Sequence, residues 1–297
     1  MADVRISDLS TISTLNGSDL FIAEQSSAGT GAVTYTTLKN TLLGTSGITR
    51  LGGTDVCSAI NRLNTLSDYG SAARHNSIGR GSSLGTSVTS TQWTQIKSGT
   101  FQGLYIGDYW TIGGVNYRIA AFDYYLSKKS LSTHHVVIVP DTNLVSNVAM
   151  NTTRDATGGY YGTSMYTTTI DAARTTVQNA FGSAHILSHD IDISNAASGG
   201  VVTGWQSATV DIALMTLANL YGLTTSVPSA SQFIDEDRQQ FPLFFLFPEL
   251  QTINALYWLR DVMTDSAFVS MGSSAASRRY ADSATCGIRP SFCIYQA

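Results

Sequence analysis

Apolar and polar positions alternate with a period of two over several short runs and follow a helical period over only a few, which predicts a mixed, α+β chain. Tyr105-Ile106-Gly107-Asp108-Tyr109-Trp110-Thr111-Ile112 and Val115-Asn116-Tyr117-Arg118-Ile119-Ala120 flank Gly113-Gly114, the signature of a hairpin. Val136-Val137-Ile138-Val139-Pro140 reads as a buried strand ending at proline. Ala173, Val177, Ala180 and Phe181 share one helical face that stops at Gly182, and a second helix is expected from about Val210 to Tyr221, stopping at Gly222. Near the C-terminus Ile288, Phe292 and Ile294 fall on one strand face and Arg289, Ser291 and Cys293 on the other. Pro290 interrupts that strand's ladder and predicts a margin position, unpaired on one side or locally bent. Arg289, pointing inward, is expected to tie down loop carbonyls or a carboxylate, because its planar fork suits several fixed acceptors.

The N-terminal part has a different texture. Asn16-Gly17 and short β-prone runs up to Val33-Thr34-Tyr35-Thr36-Thr37-Leu38-Lys39 suggest small hairpins, not a globular domain. Gly44 to Thr54 reads as a linker. Beyond it Val56, Ile60 and Leu63 stand at helical spacing, with Asp55 as a cap. One narrow stripe on so short a helix is unstable alone, so it must pack either on copies of itself or on its own chain's C-terminal domain. A globular pattern starts near Thr94. Three segments result: 1–45, 46–93 and 94–297.

Composition narrows the class. Charged residues make up 13% of the chain, against about 25% in ordinary soluble proteins, so Ser, Thr, Asn and Gly must supply solubility. The net charge is -4 and the basic residues are scattered, which leaves no electrostatic footprint for nucleic acid and no polybasic membrane contact. No apolar run approaches the ~20 residues that cross a bilayer, and no conventional secretion signal opens the chain. Cys57, Cys286 and Cys293 form neither a metal-ligand spacing nor an even disulfide framework, consistent with synthesis in a reducing cytoplasm.

Tyr257-Trp258-Leu259-Arg260, the short strand Ala267-Phe268-Val269, the polar Ser277-Arg278-Arg279-Tyr280-Ala281-Asp282 and the closing Gly287-Ile288-Arg289-Pro290-Ser291-Phe292 together resemble an uncharacterised domain of Firmicutes and their phages. That domain is similar to the sulfatase-modifying-factor branch of C-type-lectin-like folds. Its opening hairpin is similar to the run from Gly107 to Ile119, so the resemblance extends to Tyr295, and it implies structural roles for Trp258, Arg260 and Arg289. Ile6-Ser7-Asp8-Leu9, Gly17-Ser18-Asp19-Leu20 and Thr37-Leu38-Lys39 resemble the attachment segments that begin many phage tail-fibre and appendage proteins. Ala59-Ile60-Asn61-Arg62-Leu63-Asn64 resembles helices of phage fibre proteins.

These resemblances imply a virion protein made in the host cytoplasm. A small extended N-terminal segment would attach to other virion proteins, a short helix would oligomerise through Val56, Ile60 and Leu63 as a homotrimer, and a C-terminal C-type-lectin-like domain would bind a bacterial surface glycan or protein. Two alternatives stay open. One is a structural role that cements capsid or tail subunits through Phe241-Pro242-Leu243-Phe244-Phe245-Leu246-Phe247-Pro248. The other is a glycan-cleaving enzyme, which needs two carboxylates about 5 to 9 Å apart.

Little in the sequence points to catalysis, a cofactor or a metal. Asp235-Glu236-Asp237 are adjacent, so their carboxylates diverge on any regular element and read as a solvated loop. His185 and His189 stand four apart with Asp190 and Asp192 nearby, yet no helix is defined there and no glutamate completes a zinc-protease motif. His134 and His135 begin a strand and should point to opposite faces. Pro140-Asp141-Thr142-Asn143 carries some letters of a calcium-dependent sugar site in the wrong place, and Cys286 and Cys293 read as small buried residues, not a copper-handling pair. The ligand-binding candidates are aromatic: Tyr160 and Tyr161 in Gly158-Gly159-Tyr160-Tyr161-Gly162-Thr163-Ser164-Met165, which is similar to a recurring motif of the family and so could serve the fold, Trp205 after Gly199-Gly200, and Tyr280 beside Arg278, Arg279 and Asp282. The segment from Asp265 to Ala284 is the preferred ligand surface, as a variable loop.

Overall fold

The computed structural model describes residues 20–25, 29–34, 72–222 and 239–297, and the chain divides into two compact units, Met1–Ser67 and Asp68–Ala297. In the first unit, strand β1 (Leu20–Gln25) pairs antiparallel with β2 (Gly29–Thr34), Leu20 opposite Thr34 and Gln25 opposite Gly29. The Asn16-Gly17 turn, the stripe of Val56, Ile60 and Leu63, and the acidic run Asp235-Glu236-Asp237 lie outside the described residues.

The second unit mixes helices with two five-stranded sheets and is α+β. It begins before the change of texture at Thr94. Helix α1 (Ala72–His75) buries His75 completely against the rings of Phe101, Tyr105 and Phe122. The next residue, Asn76, exchanges two hydrogen bonds with the Phe122 backbone, at 2.9 and 2.8 Å. Asp108, wholly buried, accepts from Arg80 Nη2 at 2.7 Å and from the amides of Ser82 and Tyr105, both at 2.9 Å. Polar ties of this kind fix residues 72–93 to the core, and no apolar run in the sequence announces them. Helix α2 (Ser90–Ser98) follows, opened by a capping box between Thr89 and Gln92.

The first sheet contains β3 (Tyr109–Ile112), β4 (Val115–Phe122) and β5 (Val136–Pro140), with Gly113 and Gly114 both at positive φ in the turn of the β3–β4 hairpin. Every residue of β5 is buried, because it has a neighbour on each side. After β6 (Val145–Val148), a π-helical turn Met165–Thr169 leads into α3 (Asp171–Phe181), which buries Ala173, Val177 and Phe181 and ends at Gly182. A long hairpin follows, β7 (His189–Ser198) and β8 (Val201–Val210).

The helix expected from Val210 to Tyr221 forms only in its second half. Ile212–Leu214 forms β9, whose Ile212 lies opposite Phe292, and only α4 (Leu217–Tyr221) is helical, capped by Thr216 and by the left-handed Gly222. A short apolar run carries both periods, and sheet pairing decided between them.

Helix α5 (Pro242–Leu246) precedes β10 (Tyr257–Thr264), β11 (Ala267–Met271), β12 (Ala276–Tyr280), β13 (Cys286–Ile288) and β14 (Pro290–Ile294). The sheet orders are β3-β4-β5-β14-β9 and β12-β11-β10-β13-β6. The last segment therefore does not close one sheet at its margin. It is split at Arg289, with β13 in one sheet and β14 between β5 and β9 in the other. Pro290 is tolerated as the first residue of its strand.

Arg289 itself is 1% exposed. Its Nε donates to the Pro140 carbonyl at 2.8 Å and its Nη1 to Gln251 O and Tyr257 Oη at 3.3 and 3.4 Å. The guanidinium also lies over the Tyr257 and Phe244 rings, at 5.2 and 5.7 Å. Nearby, Gly287 is required by close approach, since a Cβ there would meet the Asn143 carboxamide at 2.3 Å and Val145 O at 2.6 Å.

The phenylalanine run Phe241 to Phe247 is largely core of this same chain. Phe241, Leu243 and Phe244 are fully buried, and a Cβ on Gly107 would come within 2.7 Å of the Phe247 ring. Phe245 alone among these phenylalanines is largely exposed, at 73%.

Arg289→Ala should destabilise the unit by about 2–5 kcal/mol, because it opens a cavity beside Tyr257 and Phe244 and removes a donor to the buried Pro140 carbonyl; chemical denaturation of the variant measures it. A second expectation concerns pH. Burial lowers His135 and His189 to about 4. His135 also uses both ring nitrogens when neutral, Nδ1 toward Thr133 O at 2.9 Å and Nε2 accepting from Tyr125 N at 3.0 Å. The unfolded chain therefore takes up protons first as pH drops. Stability should be level above the ordinary histidine range and fall from pH 6.5 toward 4, each ring adding a slope of at most about 1.4 kcal/mol per pH unit. Asp123, raised by burial, opposes the trend at the lower end. Thermal unfolding from pH 4 to 8 checks the sign.

Candidate functional site

Four connections meet around Asp265, in the β10–β11 turn. Its carboxylate accepts from the amides of Gly199 and Gly200 at 3.1 and 2.9 Å, holding the tip of the β7–β8 hairpin. Both glycines have positive φ, 61° and 78°, which a two-residue hairpin turn requires and which leaves their N–H groups available to one acceptor. Backbone bonds gather the other segments: Ala156 N to Asp265 O at 2.8 Å, Ala281 N to Ser266 O at 3.0 Å, Asn151 N to Ala281 O at 2.8 Å and Ala197 N to Thr157 O at 2.7 Å. In the 151–157 loop, the amide and hydroxyl of Thr157 hold the Asp155 carboxyl below the usual carboxylate range. The exposed Val201, Met263 and Tyr280 belong to these same elements.

Tyr280 ends β12, the outermost strand of its sheet, and is 40% exposed. Arg154, from the 151–157 loop, places its guanidinium 4.2 Å from the Tyr280 ring centre, and its Nε lies 3.3 Å from both carboxylate oxygens of Asp282. Arg278 lies two residues before Tyr280, on the same strand face, with its guanidinium 5.5 Å from the ring. The result is an aromatic ring flanked by two guanidinium groups with a carboxylate beside them, carried by the end of β12 and by the 151–157 loop bonded to it. Such a set can bind a ligand by stacking, charge and directed hydrogen bonds.

The structure separates the candidates that the sequence grouped together. Tyr280, Arg278 and Asp282 converge. Arg279 alternates to the other side of β12, opposite Phe268, is half-buried and interacts with the Cys286 thiol, whose pKa is raised by burial. Tyr161 is exposed, at 42%, and faces Tyr166 at 5.1 Å, on the loop that continues past Thr157.

Tyr160 is no surface residue. It is 1% exposed, and burial pushes its phenol pKa up. The cause is Gly159, which lies so flush on β7 that a Cβ would stand 2.4 Å from Ser194 O; the chain turns the next side chain inward. Trp205 is likewise not in a loop. It lies on β8 opposite Ser194, half-buried. Nor is the segment from Asp265 to Ala284 a loop, since β11 and β12 occupy most of it. Trp258 is fully buried and donates to Val148 O at 2.8 Å, while Arg260, 6% exposed, donates to Asp192 O at 2.8 Å.

Sequence reading missed Arg154 as a member of the site and Asp265 as its clamp. Arg154 lies 128 positions from Asp282, with no local pattern around it.

The histidines form no metal centre, and no cluster of three or more metal-ligating side chains occurs among the described residues. His185 stacks on Trp93 at 4.1 Å, whereas His189 packs on Tyr125 at 4.1 Å. His134 and His135 precede β5 and both approach the Asp123 carboxylate. His134 meets Asp123 at 2.7 Å beside a cavity of 560 Å³, and His135 is fully buried. Cys286 and Cys293 are both buried and form no disulfide. No helix among the described residues is long and apolar enough to cross a membrane.

The chain matches no family model, no curated protein and no solved structure.

Asp265→Ala should release the hairpin tip while leaving the core intact. Amide exchange at Gly199 and Gly200 should accelerate by about tenfold or more with little change in the global melting temperature, as measured by hydrogen exchange.

Proposed function

We propose that this protein is a phage virion component, a fibre, spike or head-decoration protein, that displays a C-type-lectin-like domain for binding to a bacterial surface glycan or protein. The carrying observation is the exposed cluster of Arg278 and Tyr280 on β12, Asp282 just after it and Arg154 from the 151–157 loop. Tyrosine and arginine are the side chains that supply binding energy with the least loss of conformational freedom. Support for the lectin-like reading comes from the motifs: the opening Gly107 to Ile119 segment forms the β3–β4 hairpin, and the Tyr257 and Gly287 segments pair side by side in one sheet.

On this reading the N-terminal segment attaches to other virion proteins, and the helix carrying Val56, Ile60 and Leu63 makes a homotrimer. Several copies per particle convert weak single sites into avidity. The reading assigns no catalytic step, cofactor or metal to the chain.

A purely structural, subunit-cementing role is the competing reading, favoured by the exposure of Phe245. Adsorption separates the two. In a phage carrying this protein, Tyr280→Ala should slow adsorption to host cells severalfold without lowering particle yield or the melting temperature of the purified chain. Unchanged adsorption, together with particles that fall apart on Phe245→Ser, would instead establish cementing.

A further inference from the structure

We infer that Arg154 and Arg278, arranged around Tyr280, form an oxyanion-binding site that recognises phosphate or carboxylate groups on a glycan. This names the ligand chemistry of the surface proposed above, and as a statement about a host glycan it rests on that reading.

The argument starts from what each group has left to offer. A guanidinium carries five N–H donors in a planar fork and accepts nothing. Arg154 commits only Nε, to Asp282 at 3.3 Å; among the described residues its two terminal nitrogens make no hydrogen bond, and the side chain is 57% exposed. Arg278 makes no hydrogen bond or ion pair among the described residues and is exposed. The donors left over are thus charged, terminal and turned to solvent.

Tyr280 decides between ligand types. With the Arg154 guanidinium 4.2 Å from its ring centre, the ring holds that guanidinium in place and one of its faces is covered. A neutral sugar stacks on an open aromatic face, whereas an oxyanion needs a guanidinium held in a fixed plane with its fork free. Asp282 completes the positioning by accepting from Nε, which leaves the two terminal nitrogens for a ligand. Arg154 and Arg278 bring two positive charges to Tyr280 and Asp282 one negative charge, while the nearby Asp265 and Asp155 carboxylates are engaged by the Gly199 and Gly200 amides and by Thr157.

The test uses the purified full-length protein and three probes: a poly(glycerol phosphate), a polygalacturonate and uncharged dextran. Calorimetric titration measures direct binding, and competition measures displacement of the labelled protein from a panel of Firmicutes cell walls. At least one anionic polymer should bind and dextran should not, with affinity falling as salt rises. Which polymer binds identifies phosphate or carboxylate as the source. Arg154→Ala should weaken binding about tenfold, and Arg154→Lys, which keeps the charge and loses the fork, should recover only part of it. Unchanged melting temperatures show that the exposed substitutions leave the fold intact. Dextran binding equal to the anionic polymers, or an Arg154→Ala/Arg278→Ala double variant of unchanged affinity, overturns the inference. If the protein binds walls but neither anionic polymer competes, the oxyanion assignment falls and host binding stands. If an anionic polymer binds through Arg154 and no wall is bound, the oxyanion site stands and host binding falls.

Discussion

A buried arginine at the point where the chain passes from one sheet to the other is the constraint on which the second unit depends. Arg289 separates β13 from β14, so its guanidinium sits where both sheets, the end of β5 and the segment after α5 come together. A buried cation is tolerated only with its donors satisfied and its charge dispersed. Here carbonyl oxygens and the Tyr257 phenol accept from it, and two aromatic rings face it. No buried carboxylate is required. The consequence is positional: one side chain joins the end of β5 in one sheet to Tyr257 of β10 in the other.

From that frame the candidate site is assembled by polar ties instead of packing. Asp265 gathers the hairpin tip, and backbone bonds carry the 151–157 loop and the turn after β12 to the same place. Loops held by hydrogen bonds at both ends can present exposed side chains in fixed positions without a hydrophobic core beneath each one. This is consistent with a chain poor in charge and rich in Gly, Ser and Thr, in which backbone amides do the joining that ion pairs do elsewhere. The few charged residues that remain are concentrated at junctions, as with Asp108 on Arg80 and Asp141 on Arg118.

Patterns within a single element were legible. The strand Val136–Pro140, the hairpin around Gly113-Gly114, and the helix from Asp171 to Phe181 with its stop at Gly182 have the extents or boundaries that alternation, helical spacing and glycine placement indicate. Where two readings shared the same residues, the sequence was silent. Val210 to Tyr221 carries enough apolar positions for a helix, yet pairing of Ile212 with Phe292 draws its first half into a sheet. Gly158 to Met165 looks like an exposed aromatic loop, but the flush contact of Gly159 with β7 buries Tyr160 and leaves only Tyr161 outside.

The sequence by itself determined that the second unit mixes strands and helices, the places of β3, β4, β5 and α3, and three members of the candidate cluster, because those depend on local periodicity and on neighbours a few residues apart. Only the tertiary structure decided that the final segment divides between two sheets, that Arg279 turns away from Arg278 and Tyr280, and that Arg154 joins them. Each of these is set by contacts between residues far apart in the chain, and the free energy of such contacts depends on distances that no local pattern encodes.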